Sequence, residues 1–396
     1  MIVVQKYGGS SVATTEKIKN IAKYIKNNFS PNDKIVIVVS AMGKTTNGLL
    51  NLINEVSPSP NKREQDTLVS TGEIISASLL SIALNDIGIK AVSLNGMQAG
   101  IITDSFYGRA FIESIEPDRL NSELSKGNIV IVTGFQGVDL NGNITTLGRG
   151  GSDTTAVALA AVLSCPCEIY TDVDAVFGVD PRIYSGSKPI HEISYEEMME
   201  MSLQGAKVLE TRCIELAKKY NVPLYLGKTL ETNKNKGTYV MNKKLSYFEQ
   251  MKISSLSSKD NYYVCTVKLK DYTILSDILK LISESGLNLE MVSEIAYEKN
   301  IYFSFGSASS EIIELNNKIN KIGGASAFIK NSFTKLTLSG TGFATHTNAI
   351  NVMFKTLSDN NINFEKICIT EMSASLLISQ IDKEKAIKLI SQEFNL

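Results

Sequence analysis

Three times along the N-terminal half, an unbroken apolar run ends in a glycine-bearing loop. Residues 2–6 run into Lys6-Tyr7-Gly8-Gly9-Ser10-Ser11, and Lys34 to Ser40 (KIVIVVS) into Ala41-Met42-Gly43-Lys44-Thr45-Thr46. The third, 128–133 (NIVIVT), runs into Gly134-Phe135-Gln136-Gly137. Runs without alternation are strands buried on both faces, the habit of parallel sheets. Between the first two, Ile18, Ile21, Ala22 and Ile25 recur at helical spacing within Glu16 to Asn28. Strand, glycine loop and helix in succession dictate an α/β fold with ligands at the C-terminal ends of the strands.

Further strands are expected at 90–94, 167–171 and 222–226, and helices at 70–84, 153–163, 196–203 and 207–220. The stretch Gly148-Arg149-Gly150-Gly151-Ser152-Asp153-Thr154-Thr155 follows a hairpin-like run, 139–146, and leads into the apolar helix. Its glycines allow close backbone approach, and Ser152, Asp153 and Thr154 are candidate helix caps. A helix N-terminus suits phosphate, and Arg149 offers a fork for carboxylate or phosphate, although the stretch also reads as a plain turn. Gly43-Lys44-Thr45 is not a P-loop, because the motif needs glycine where Val38 stands inside a strand. Glu73, one turn into its helix, is either a capping charge or a ligand for an ammonium group. Asp172 and Asp174, two apart after a strand, suit a metal or a ribose, and equally an Asx-turn.

The formal net charge of −1 gives no basic face for nucleic acid, and no apolar run reaches the length of a membrane span. The first residues read as a strand and not a signal peptide. Two histidines and five scattered cysteines, with Cys165-Pro166-Cys167 lacking metal-site spacing, leave no protein metal site expected and point to reduced thiols in a cytoplasmic protein.

The tail has another grammar. Strands at 262–269, 287–295 and 301–305 and helices at 274–285 and 311–322 are followed by a second copy from Lys335. Leu287-Asn288-Leu289-Glu290 aligns with Ile362-Asn363-Phe364-Glu365 at a constant offset of 75 residues. Repeated β-α-β-β-α-β units of this size are ferredoxin-like, and they either bind a small ligand and dimerise or serve as a packing appendage.

Taken in order, Lys6-Tyr7-Gly8-Gly9-Ser10-Ser11, the Ser40–Thr46 loop, Thr71-Gly72-Glu73, Gly134-Phe135-Gln136-Gly137, the Arg149 loop and Tyr170-Thr171-Asp172-Val173-Asp174 resemble the aspartate kinase family over essentially the whole chain. The resemblance implies an amino-acid-kinase fold, a three-layer α/β/α domain with a mainly parallel sheet of about eight strands over residues 1–245. Two ACT domains follow at 260–330 and 331–396, the second completed by a strand from 249–259. It implies transfer of the ATP γ-phosphoryl group to the β-carboxylate of L-aspartate, the first step toward lysine, threonine and methionine. Lys6 and Asp153 would be catalytic, with Asp153 holding Lys6. Ser40, Thr45, Glu73 and Arg149 would bind aspartate, Arg149 its α-carboxylate and Glu73 its ammonium. Lys6, Tyr7, Gly8, Gly9, Gly150, Gly151, Ser152, Thr171, Asp172, Phe177, Asp180, Arg182 and Lys207 would contact ATP, with Mg²⁺ carried largely by the phosphates. A kinase for an acylated acid such as acetylglutamate is disfavoured, because Glu73 would then face an uncharged nitrogen. The resemblance further implies a homodimer through the ACT domains and an amino-acid effector there. Both loops leading into the first ACT helices depart from the family's Pro-Gly, reading Asp271-Tyr272-Thr273-Ile274 and Thr345-His346-Thr347-Asn348. Phe177 stands where the family often has tyrosine.

Overall fold

The computed structural model describes residues 2–206, 208–242, 252–297, 300–343 and 347–396. Lys207, residues 249–251, Thr345 and His346 lie outside the described residues. The chain forms two compact units. The first takes residues up to Val176, Pro189–Ser202 and the stretch from 208 onward to the end of the N-terminal part; the second takes Phe177–Lys188, Leu203–Ala206 and the C-terminal part.

In the first unit an eight-stranded sheet runs Glu192–Ile193, Thr238–Val240, Leu224–Lys228, Cys167–Thr171, Ile2–Tyr7, Lys34–Val39, Ile129–Thr133, Ala91–Leu94. Its pairs are parallel except Leu224–Lys228 with Thr238–Val240. The register sets Tyr7 opposite both Val39 and Tyr170, and Val39 opposite Thr133, so three glycine loops leave one edge together. Side chains alternate across this sheet. Val3, Tyr7, Ile35 and Ile37 face a core closed by Ile18, Ile21 and Ile25 of helix Thr15–Asn28 and Leu80 and Leu84 of helix Thr71–Asp86. Thr14 caps the first of these helices, accepting from Lys17 N at 3.2 Å. The opposite face, which carries Lys6, is covered by helix Gly151–Val162. That helix is buried along ten consecutive residues, which explains a sequence apolar all round.

Several elements begin elsewhere than the sequence suggests. Helix 62–69 precedes the Glu73 helix with only Ser70 between them, and Ser70 is itself in helical conformation. The resulting Lys62–Asp86 stretch passes a test of length and composition for crossing a membrane, and half of its most apolar window is buried in the fold. The expected helix 207–220 starts at Thr211. A small sheet of strands Ile112–Ile115, Ile101–Thr103, Gln136–Val138 and Ile144–Thr146 leads into the Arg149 loop.

The second unit contains one six-stranded antiparallel sheet, ordered Glu290–Tyr297, Asn300–Ser307, Lys252–Leu269, Ala325–Thr341, Ser373–Ser379, Phe364–Ile369. Helices Thr273–Ser285 and Asn348–Asp359 begin 75 residues apart, matching the sequence offset. The two halves are not separate sheets. Lys252–Leu269 and Ala325–Thr341 pair along both halves, with register shifts between Lys259 and Val264, where Asn261 adopts a left-handed φ of 52°. Each half has its own core, around Phe305 and Ile278 in one and Leu336 and Met353 in the other.

Candidate active site

The strand ends of the first unit converge on one charged pair. Lys6, nearly buried at the end of Ile2–Tyr7, places Nζ 2.6 Å from Asp153 Oδ1. Asp153 stands in the first turn of helix Gly151–Val162, where the positive end of the helix dipole favours a carboxylate. The cap differs from expectation. Gly150 itself is the N-cap, at φ 67°, and no side chain caps the helix; Ser152, Asp153 and Thr154 lie inside its first turn. A Cβ on Gly150 would come within 1.8 Å of Glu210 Cγ, so this glycine is required by space as well as by φ.

Glu73 lies behind the neighbouring strand end. Its Oε1 accepts from Ala41 N at 3.0 Å, while Oε2 has no hydrogen-bond partner among the described residues. Only 3% of Glu73 is exposed, and burial pushes its carboxyl up to about 7. A buried carboxylate with one unsatisfied oxygen is costly unless a cation arrives. The unpartnered Oε2 is the atom an arriving ammonium group would take. Ser40 is tied from both sides, its N–H donating to Tyr7 O at 3.2 Å and its carbonyl accepting from Ser76 Oγ at 2.8 Å. Thr45 opens the next helix with its hydroxyl donated to Met42 O at 2.7 Å, so only its lone pairs face outward.

The proposed nucleotide residues divide. Tyr7 is fully buried, donates to Gln5 Oε1 at 3.1 Å and stacks on Tyr170 at 5.2 Å; only its backbone can serve a ligand. Gly8 N–H donates to Tyr170 O at 3.3 Å, and a Cβ on Gly9 would meet Ala41 O at 2.9 Å. Thr171 closes its strand, and its hydroxyl donates to the neighbouring Asp172 Oδ1 at 3.0 Å. Gly151 and Ser152 sit at the buried helix start. Phe177, Asp180 and Arg182 belong to the second unit. Asp180 is engaged there by Arg182 Nη2 at 2.7 Å and Nε at 3.0 Å. Arg149 is exposed between Gly148 and Gly150, both at positive φ.

Sequence reasoning missed the groups that support these side chains. Asp66, 1% exposed, accepts from Thr146 N, Thr146 Oγ1 and Gly108 N. Arg212 donates to Leu147 O and Ala110 O. Glu168 accepts from Gln5, Tyr170 and Lys234 on the face opposite Lys6. Asp66 had a signal in its position on the same helix face as Val69; Arg212 had none, since an arginine in an amphipathic helix normally faces water.

The arrangement gives a cation held by a carboxylate at the edge of a parallel sheet, beside a helix start and an unsatisfied buried acid. That suits phosphoryl transfer to a substrate bearing an ammonium group. The amino acid kinase family model matches residues 1–228, and an ACT domain model matches 336–394. The chain is 38% identical to the aspartokinase of Geobacillus stearothermophilus over 399 aligned residues, covering all of this chain and 97% of that one. It is 37% identical to the aspartokinase of Pseudomonas aeruginosa, covering all of this chain and 98% of the other. Among solved structures, E. coli aspartokinase III in complex with aspartate and ADP superposes with a TM-score of 0.82 at 22% identity over the full length of both chains, a likeness of fold.

Proposed function

Because the chain belongs to the amino acid kinase family and is an aspartate kinase, we propose that Lys6, Asp153, Glu73 and Arg149 divide the work of its reaction. An oxygen of the aspartate side-chain carboxylate attacks Pγ of ATP, the bond from Pγ to the bridging oxygen breaks, and ADP leaves with that electron pair. The carboxylate is ionised at neutral pH and needs no base. Catalysis then rests on position and charge. Lys6 offsets the negative charge gathered on the transferring group, and Asp153 holds its ammonium in place. Glu73 takes the substrate ammonium on its unsatisfied oxygen, and Arg149 swings from its glycine-flanked loop onto the α-carboxylate. Ser40 and Thr45 line the space between them.

ATP lies against the Gly8-Gly9 turn and the Gly150-Gly151-Ser152 helix start, with Thr171 and Asp172 toward its sugar. Phe177, Asp180, Arg182 and Lys207 remain proposed nucleotide contacts. Among the described residues no group of three His, Cys, Asp or Glu side chains is gathered. Mg²⁺ would arrive on the phosphates and neutralise their charge. The division into a kinase domain to 245 and ACT domains at 260–330 and 331–396, with a strand from 249–259 in the second, is proposed on the same basis. So are a homodimer through the ACT domains, an amino-acid effector there, cytoplasmic location, and a place at the first step toward lysine, threonine and methionine.

The observation that carries the catalytic reading is the 2.6 Å contact between Lys6 and Asp153 at the sheet edge. Lys6→Ala should lower kcat roughly 10²–10³-fold with little change in the KM for aspartate, because its charge is needed most in the transition state. A coupled ADP-release assay over aspartate, glutamate and acetylglutamate checks both points. Retained kcat would show that another cation does this work, and turnover of acetylglutamate would remove Glu73 from its role.

A further inference from the structure

Arg149 sits on a loop that its own sequence does little to stiffen, with a glycine at positive φ on each side. What fixes it is the stem, Thr146-Leu147. Asp66 Oδ2 accepts from Thr146 N at 2.7 Å and Gly108 N at 2.9 Å, and Oδ1 accepts from Thr146 Oγ1 at 2.8 Å. From another element, Arg212 Nη1 donates to Leu147 O at 3.0 Å and Nη2 to Ala110 O at 2.8 Å, with the guanidinium 4.5 Å from the Phe111 ring centroid. Ala110 N closes the grip on Thr146 O at 2.8 Å.

Asp66 lies on helix Lys62–Val69, which passes through Ser70 directly into the helix that carries Glu73. Its carboxylate therefore joins the segment holding one substrate ligand to the stem of the loop holding the other. A buried carboxylate accepting three donors in fixed directions is stiff, because any displacement leaves a polar group unpaired. We propose that Asp66 is a positioning residue for the aspartate site, setting the distance between Arg149 and Glu73, with Arg212 as the second grip on the same stem. The proposal rests on reading Arg149 and Glu73 as ligands of the two charged ends of the amino acid.

A residue that only held the fold together would lower stability and every kinetic constant alike. A positioning role predicts a split. In the full chain, Asp66→Asn keeps an oxygen on the Thr146 and Gly108 amides but loses the charge that strengthens those bonds and turns a donor toward the Thr146 hydroxyl; it should raise the KM for aspartate about threefold while kcat and the KM for ATP stay within about twofold. Because the effect acts through Arg149, adding Asp66→Asn to Arg149→Ala should raise the KM little further. Thr146→Val removes one of the three bonds and should raise the aspartate KM about threefold, with Thr146→Ser restoring it. Should Asp66→Asn fail to fold, the Thr146 pair decides alone. An unmoved aspartate KM in Thr146→Val, an equal rise in the KM for ATP, or additive effects with Arg149→Ala would each overturn the positioning role. If Arg149→Ala itself leaves the aspartate KM unchanged, the ligand reading fails first and the proposal falls with it.

Discussion

Among single residues, Glu73 shows best what sequence can and cannot carry. Its place in a first turn was legible; its burial was not, because that depends on the Ala41 loop folding over it. With the carboxyl raised from 4.5 to about 7 by burial, the neutral form is the one the folded state favours. Glu73 therefore contributes stability fully below pH 4.5, and that contribution is lost as pH rises through 7. The ammonium of aspartate needs the ionised form. Hence kcat/KM for aspartate should fall as pH drops through about 7 in the free enzyme. Glu73→Gln should flatten that limb, weaken aspartate by about 2 kcal/mol or more, and raise the Tm at pH 8 because a buried charge is removed. Kinetics and thermal unfolding across pH 5.5 to 9, a range of about four units around neutrality, check all three. A pH limb that persists in Glu73→Gln would assign it to another group.

At the scale of elements, the helix start at Gly150 leaves no room for a side chain. Glu210, just before helix Thr211–Tyr220, fills the space that any side chain at 150 would need. Gly150→Ala should cost about 2–4 kcal/mol from left-handed strain and overpacking together. Replacing Glu210 by Ala in the same chain should recover most of the packing part but not the strain. Thermal unfolding of the two single variants and the double variant reads this directly; a Gly150→Ala loss under about 1 kcal/mol would mean the loop has room to move. The long apolar strands were legible because continuous burial leaves a continuous apolar run. Of the three-residue strands, 144–146 was legible as the end of the hairpin-like run 139–146, while 101–103 and 136–138 were not, since so few residues set up no period. The first part of Lys252–Leu269 was expected only from the family resemblance, as a strand at 249–259, and not from its residues. Ser254, Ser255, Ser257, Ser258, Asp260 and Asn261 have weak strand preference, and pairing with Ala325–Thr341 imposes the conformation.

Over the whole molecule, the repeat announced itself through segments aligned at the 75-residue offset, while the sharing of two long strands by both halves stayed hidden. Sharing bears on regulation. The second unit includes Phe177–Lys188 and Leu203–Ala206 as well as the tail, and Lys335 Nζ donates to Gln204 Oε1 at 2.8 Å within it, so effects of amino acids have to be measured on the full chain. In the first half of the sheet the groups near the helix start are already engaged. Asp271 accepts from both Thr273 N–H and the Thr273 hydroxyl, and Tyr272 OH donates to Glu294 at 2.6 Å. Glu290 is clamped by Lys259 and Lys335 at 2.6 Å each, and these cations hold its carboxyl below the ordinary range despite burial. An effector carboxylate would have to displace Asp271 from the Thr273 amide, and its ammonium would find both glutamates occupied. Binding is weakened by that exchange, and a ligand moves a two-state enzyme only by its differential affinity for the two states. Lysine alone or threonine alone, at ~1 mM, should therefore inhibit by less than about half. Asp271→Gly, which frees the Thr273 amide, should strengthen any inhibition that exists. Dose–response curves for each amino acid, singly and together, on the parent chain and on Asp271→Gly are the measurement. Sub-millimolar inhibition of the parent by either amino acid alone would show that the self-satisfied helix start does not bar the site.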